Sequence, residues 1–243
     1  MSGKQELAVA EYEALVPGSD IAEALAANVD SGAIRLSDLP KVGMPAGGGK
    51  VWSWTDSGNN EVTSKEICGI LVYFGKFGTL WPTVEPSGTG SQPLLVTRDW
   101  VTAKRVGDDL GDLKEEVLEK ARIGDKTYSW PDLEYCQYGS RGRGKRCNEY
   151  RILGVLQKGE AWPVMIHASA GSISAIESFV SLLRVPYYRA EIGVSLVKEE
   201  NSAGQPFSKV FCRYISALSR EEGEIVKGMY TDPLTAAAAA ELS

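Results

Sequence analysis

Apolar residues in this chain cluster into runs that read mostly as strands. From Ile67 to Phe74 the sequence "ICGILVYF" is almost continuously apolar and aromatic, followed by Gly75 and Gly78 and then Leu80 and Trp81. Such a run predicts a strand that breaks or bulges at the glycines. "QPLLVTRDW" predicts a second, short strand. Further on, "YRILGVL" and "WPVMIHAS" predict two strands separated by the turn "QKGEA". "PYYRAEIGVSLV" then alternates, with Tyr188, Ala190, Ile192, Val194 and Leu196 on one face and Tyr187, Arg189, Glu191 and Ser195 on the other. After the turn "NSAG", the stretch "FSKVFCRYISAL" reads as a last long strand.

Helical spacing is rarer. "SISAIESFVSLL" places Ile173, Ile176, Phe179, Val180 and Leu183 on one helical face. "DDLGDLKEEVLEKARIG" does the same with Leu110, Leu113, Val117 and Leu118, acids early and bases late, and predicts a helix ending at Gly124. Ser219 and Glu222 form a capping-box pair ahead of a short final helix. Near the N-terminus, Ile21, Leu25 and Val29 give a brief helical pattern that Pro40 closes, and "VGMPAGGGKVWSWTDSGNN" reads as a linker or mobile loop.

These elements predict a mainly β protein with helices (α+β). Strands, an irregular insertion, two strands, a helix and two long strands suit an OB-like Greek-key barrel with a helix between strands 3 and 4; an α+β sandwich is the rival. The expected organisation is an acidic, loosely ordered segment over residues 1–63 and an OB-like domain over 64–228 with an insertion at about 97–149. A flexible tail over 229–243 completes it.

Composition adds limits. With 43% hydrophobic and 24% charged residues the chain has the balance of a soluble globular protein. No apolar run approaches the roughly 20 residues of a membrane span, and the N-terminus lacks a secretory apolar core. Four cysteines in 243 residues do not resemble a disulfide framework, which points to a reducing, cytoplasmic setting. The net charge of −6 is uneven: −5 over residues 1–66, −3 over 220–243, and +2 between them. An acidic chain can therefore still meet a polyanion through its middle.

That middle contains "CQYGSRGRGKRC", from Cys136 to Cys147, with Arg141, Arg143, Lys145 and Arg146 among three glycines and no acid. "GSRGRGK" satisfies the spacing of a phosphate-binding P-loop. However, Arg146 stands where a magnesium-binding hydroxyl belongs, and a strand rather than a helix follows. The "GGGK" at Lys50 fails similarly, with Met44 and Val51 at the required positions. A zinc site is also poorly supplied: no C-x-x-C occurs, Cys68 and Cys212 lie in apolar strands, and the single histidine, His167, reads as a strand residue. Contact with nucleic acid fits best. Glycines let backbone approach phosphates, the cations neutralise them, and Tyr135 and Tyr138 stand beside them for stacking. Aromatic and basic residues also mingle at Lys76, Phe77 and Trp81, at Tyr187 and Arg189, and along one strand face at Phe207, Lys209, Phe211 and Arg213.

The ordered segments "YCQYGSRGRGKRCNEYRILGVL", "WPVMIHAS", "SISAIESFVSLL" and "GQPFSKVFCRYISALSREE" resemble the OB-fold single-stranded-DNA-binding proteins of bacteriophages and mobile elements. Gly139, Ser140, Gly142, Gly144, Lys145 and Cys147 match the Cys-containing, Gly/Lys-rich segment of that type, and the likeness covers residues 67 to about 225. Thr97 and Trp130 stand where such proteins carry further cysteines, so a metal site would be degraded or lost. The tail has only Asp232 and Glu241 in its last fourteen residues, which puts the usual acidic recruitment tail in doubt.

The resemblance and the residues together imply a non-enzymatic single-stranded-DNA-binding protein of phage or mobile-element replication or recombination, with RNA left open and no cofactor or metal. Homo-oligomers and replication or recombination proteins are its expected partners. Its binding set is Tyr138, Arg141, Arg143, Lys145, Arg146, Arg151, Lys76, Phe77, Trp81, Tyr187, Arg189, Lys209, Phe211 and Arg213. The enzyme rival, a metal-dependent nuclease, would rest on Asp108, Asp109 and Asp112, which read better as a helix start. The third class is an interaction or inhibitor protein that docks a partner through its acidic N-terminal segment.

Overall fold

Period-two alternation and β-branched runs become twelve strands in the computed structural model, which describes residues 35–56, 58, 60–83, 92–141 and 144–241, together with positions 12, 15, 16, 19, 20, 23 and 27. In chain order they are β1 (Lys41–Val42), β2 (Trp52–Thr55), β3 (Glu61–Ser64), β4 (Glu66–Leu80), β5 (Leu95–Thr97) and β6 (Thr102–Arg105). After the helix α1 (Glu115–Glu119) come β7 (Arg122–Gly124), β8 (Thr127–Ser129), β9 (Asn148–Leu156) and β10 (Val164–Ser169). The helix α2 (Ala170–Ser181) leads to β11 (Ala190–Glu200), β12 (Pro206–Ala217), α3 (Arg220–Val226) and α4 (Asp232–Ala240). The protein is mostly β with few helices, and the chain divides into two compact units, residues 1–74 with 151–241 and residues 75–150 with 242–243.

In the first unit the strand order is β1-β10-β9-β4-β11-β12. β1 lies parallel to β10, Val42 facing Ile166, while β11 runs antiparallel to both β4 and β12. β10 also approaches β12, which gives the mixed sheet a barrel-like arrangement. Its interior is filled by Ile67, Leu71, Leu153, Val155, Ile192, Val194 and Val210, and Ile176 of α2 closes on them. The predicted alternation of β11 is seen directly: Ala190, Ile192, Val194 and Leu196 are buried.

Residues 35–64 correct the expectation of a loose N-terminal segment. Trp52 and Trp54, on the hairpin β2–β3, are buried in that core, and the Trp52 indole N–H donates to the Val194 carbonyl at 2.9 Å. The Ser208 hydroxyl reaches the Pro45 and Gly49 carbonyls at 2.9 and 2.8 Å, fixing the glycine-rich stretch. Tyr12 is buried as well, its hydroxyl donating to Glu191 at 3.1 Å. The helical pattern at Ile21, Leu25 and Val29 lies outside the described residues.

The expected flexible tail is likewise corrected. A single π-helical turn, Lys227–Thr231, joins α3 to α4, and Tyr230, Leu234 and Ala238 are buried. β11 pairs with β4 only as far as Ile70; just beyond, Thr231 donates its hydroxyl to the Val72 carbonyl at 2.8 Å. The predicted capping box of α3, Ser219 with Glu222, is present.

The second unit is an antiparallel sheet in which the later part of β4 pairs β5, β5 pairs β6, β6 pairs β8 and β8 pairs β7 at the edge. Leu80, Leu94, Leu95, Leu118, Tyr128 and Trp130 form its core. The insertion therefore begins near residue 75 rather than 97, because β5 and Leu94 belong to this core. β4 does not break at its glycines: a Cβ on Gly78 would lie 2.8 Å from the Trp130 ring, so this glycine makes room for packing. The long helix expected to end at Gly124 shrinks to the five residues of α1, and β7 takes its last turn.

Candidate functional site

The basic loop is a closed structure in the second unit. Cys136 and Cys147 are joined by a disulfide, with Cα atoms 4.9 Å apart, and both are buried in the unit's core. This corrects the expectation that the cysteines form no disulfide framework; Cys68 and Cys212 are free. The bridge also removes the cysteine argument for a cytoplasmic setting. Within the loop the described backbone bonds largely to itself. Gly139, at φ 96°, and Arg141 both donate N–H groups to the Gly144 carbonyl, at 3.0 and 3.1 Å. Ser140 ties the neck, its hydroxyl donating to the Tyr135 carbonyl at 2.7 Å and accepting the Arg146 N–H at 3.0 Å.

What the loop shows to solvent is Tyr138, 79% exposed, with exposed Arg141 and Lys145. Lys145 pairs with Glu149 at 3.0 Å, and that carboxylate also accepts the Trp130 indole N–H at 3.1 Å. Gly142 and Arg143 lie outside the described residues. Arg146 turns the other way. Its side chain is only 9% exposed and grips Asp112 at 2.5 and 3.1 Å and the Pro82 carbonyl at 3.0 Å. The guanidinium holds the Asp112 carboxyl below the usual range. Arg146, expected among the phosphate ligands, is thus engaged within the unit in this structure.

A second group of aromatic and cationic residues stands in the same unit. The Lys76 ammonium lies 5.1 Å from the Trp100 ring centroid and the Arg98 guanidinium 4.5 Å from that of Phe77. Phe77 and Tyr150 are 6.2 Å apart with planes tilted by 30°. Trp100 is held by a tight turn: it adopts φ 59°, its N–H donates to the Thr97 hydroxyl at 3.0 Å, and its indole N–H donates to the Phe77 carbonyl at 3.0 Å. Asp99 Oδ1 accepts the Val101 and Thr102 amides, both at 2.8 Å. Burial works to raise the Asp99 pKa, but these amides outweigh it and hold the carboxyl low.

Sequence reasoning had picked out Lys76 and Phe77 but missed Arg98, Trp100 and Tyr150. "TRDW" looked like a strand end, although Thr-x-Asp is a turn signal that could have flagged it. Trp81, a third expected residue, is half-buried and bonded to Thr79 at 3.1 Å.

In the first unit most of the expected cations are occupied structurally. Arg151 is buried, pairs with Glu177, and covers the Phe74 ring at 4.5 Å. Arg189 donates to the Leu218 carbonyl at 3.1 and 2.8 Å. Tyr187 packs on the barrel core beside Phe74, and burial raises its phenol pKa. These three expected contact residues are engaged in packing within the unit. Phe207, Lys209, Phe211 and Arg213 do share one face of β12, with Phe211 53% exposed. There Lys209 pairs with Glu199 at 2.9 Å and Arg213 grips Glu66 at 2.6 and 2.8 Å.

Among the described residues no three His, Cys, Asp or Glu side chains gather as a metal site, and no helix is long and apolar enough to cross a membrane. No family model, curated protein or solved structure matches this chain.

Proposed function

We propose that this protein binds single-stranded nucleic acid and carries out no catalysis on it. The observation that carries the reading is the closed loop from Cys136 to Cys147, which presents an exposed tyrosine and exposed cations on glycine-rich backbone. Phosphates meet Arg141, Arg143 and Lys145, and a base stacks on Tyr138. Two features of chain order support an OB-like barrel. The order β10-β9-β4-β11-β12, with α2 between β10 and β11, is that of OB strands 3-2-1-4-5 with the helix between strands 3 and 4. The insertion also falls between the first and second strands of that scheme, where OB proteins keep one of their ligand loops. Preference for DNA, a place in phage or mobile-element replication or recombination, and replication partners all rest on the sequence resemblance. Docking through the acidic N-terminal segment has less to stand on, since residues 35–64 are built into the barrel.

Fluorescence anisotropy with labelled thirty-nucleotide single and double strands across a salt series tests this reading. Three loop contacts give a log–log salt slope near about −2 on single strands, at about −0.7 per contact. Changing Arg141, Arg143 and Lys145 together to Ser, with Arg146 kept as the staple, abolishes that slope. Absence of single-strand binding by the wild type at low salt overturns the proposal.

A further inference from the structure

We infer that the second unit also carries the base-stacking platform, formed by Phe77, Trp100 and Tyr150 with Lys76 and Arg98, so that grip and platform lie in one insertion. This rests on the proposed single-strand binding and specifies where the bases go.

Four observations converge. The three rings are half-buried, Trp100 packing in part on the unit's core, and Phe77 and Trp100 each have a cation within 5.1 Å of the centroid, which groups partly exposed rings with positive charge. Single-strand binders stack bases on such surfaces, and arginine adds to the attraction. Secondly, Trp100 occupies the left-handed region at φ 59°, a conformation that costs free energy for a bulky side chain. The turn from Thr97 to Thr102 over-determines it through the Thr97 and Asp99 bonds, and strain held in this way marks functional positions. Thirdly, charge favours this unit for a polyanion. Residues 75–150 balance twelve Lys/Arg with twelve Asp/Glu, so the whole net charge of −6 falls on the other unit. Finally, the expected barrel contacts Tyr187, Arg189 and Arg151 are taken up by packing, as described above.

The test uses the full-length protein with a thirty-residue thymidine strand and an abasic strand of equal length. Wild type binds the thymidine strand more tightly than the abasic one and its tryptophan fluorescence is quenched. Trp100→Ala and Tyr150→Ala each bind the thymidine strand about 5- to 150-fold more weakly, the equivalent of 1–3 kcal/mol per stacked base. Their affinity for the abasic strand and their salt slope stay at wild-type values. Trp100→Phe, which keeps a ring but loses the indole bond to Phe77, retains most of the binding, which ties the loss in Trp100→Ala to the ring. If both alanine variants, folded by thermal melting, keep the wild-type preference for bases, the platform lies elsewhere and the inference falls while single-strand binding stands. If wild type binds neither strand, the proposed function itself falls and takes the platform with it.

Discussion

Removing the Cys136–Cys147 bridge tests the most consequential difference between sequence and structure. The bridge closes a loop between residues 11 positions apart and both sulfurs sit in the second unit's core. Opening a loop of this length returns chain entropy to the unfolded state worth about 3 kcal/mol in the loop-closure account. For a unit of about 75 residues each kcal/mol shifts the melting temperature by about 4–8 °C, so a fall of roughly 10–25 °C is expected in its transition. The assay is calorimetry on wild type and on the Cys136→Ala/Cys147→Ala double variant, with thiols counted by alkylation and mass spectrometry in denaturant. Two alkylated thiols before reduction and four after are expected, from Cys68 and Cys212 and then all four. Four thiols without reductant, or a double variant whose melting matches wild type, would refute the reasoning.

Other expectations follow from single contacts. Arg146→Ala removes the bonds to Asp112 and the Pro82 carbonyl and destabilises the second unit by about 2–3 kcal/mol in urea, while the salt slope for single strands stays unchanged; a slope that falls by about 0.7 would return Arg146 to the phosphate ligands. Trp52→Phe removes the indole bond to the Val194 carbonyl, which its strand pairing still satisfies, and costs about 0.5–1.5 kcal/mol in urea denaturation; wild-type stability would show that this bond does not help anchor residues 35–64 to the barrel. Arg213 and its hydrogen bonds depress the Glu66 pKa. Its contribution to stability is therefore full above the unfolded value of about 4.3 and is lost as pH falls through the lower folded value. Glu66→Gln should lie below wild type by under about 1 kcal/mol at neutral pH, since the pair is partly exposed, and the two curves should merge in acid.

What could be read from sequence was what local chemistry decides. The alternation of β11 and β12, the amphipathic α2 and the Ser219–Glu222 capping box each depend on neighbours a few residues away. The failures share a cause in distance along the chain. Glycine-rich composition made residues 42–60 look like a linker, yet Trp52 finds its partner 142 positions later. Gly78 looked like a breaker because the Trp130 ring that needs its missing Cβ comes much later in the sequence. Arg146 looked like a free loop cation because Asp112 lies 34 residues upstream. The site divided in the same way: the exposed loop was visible as an unbroken run, whereas Trp100 and Tyr150 join Lys76 and Phe77 only through tertiary contacts.

The nesting of one unit within the other sets an order of events during synthesis. All of residues 75–150 emerge from the ribosome before β10, β11 and β12 exist, so the inner core can form while the outer one still lacks half its strands. About 80 further residues, at roughly 5–20 per second, separate that moment from the arrival of Thr231 at Val72, an interval of about 4–16 s. Throughout it the run from Ile67 to Val72 has no barrel to enter, making the nascent chain most in need of a chaperone after the insertion is complete.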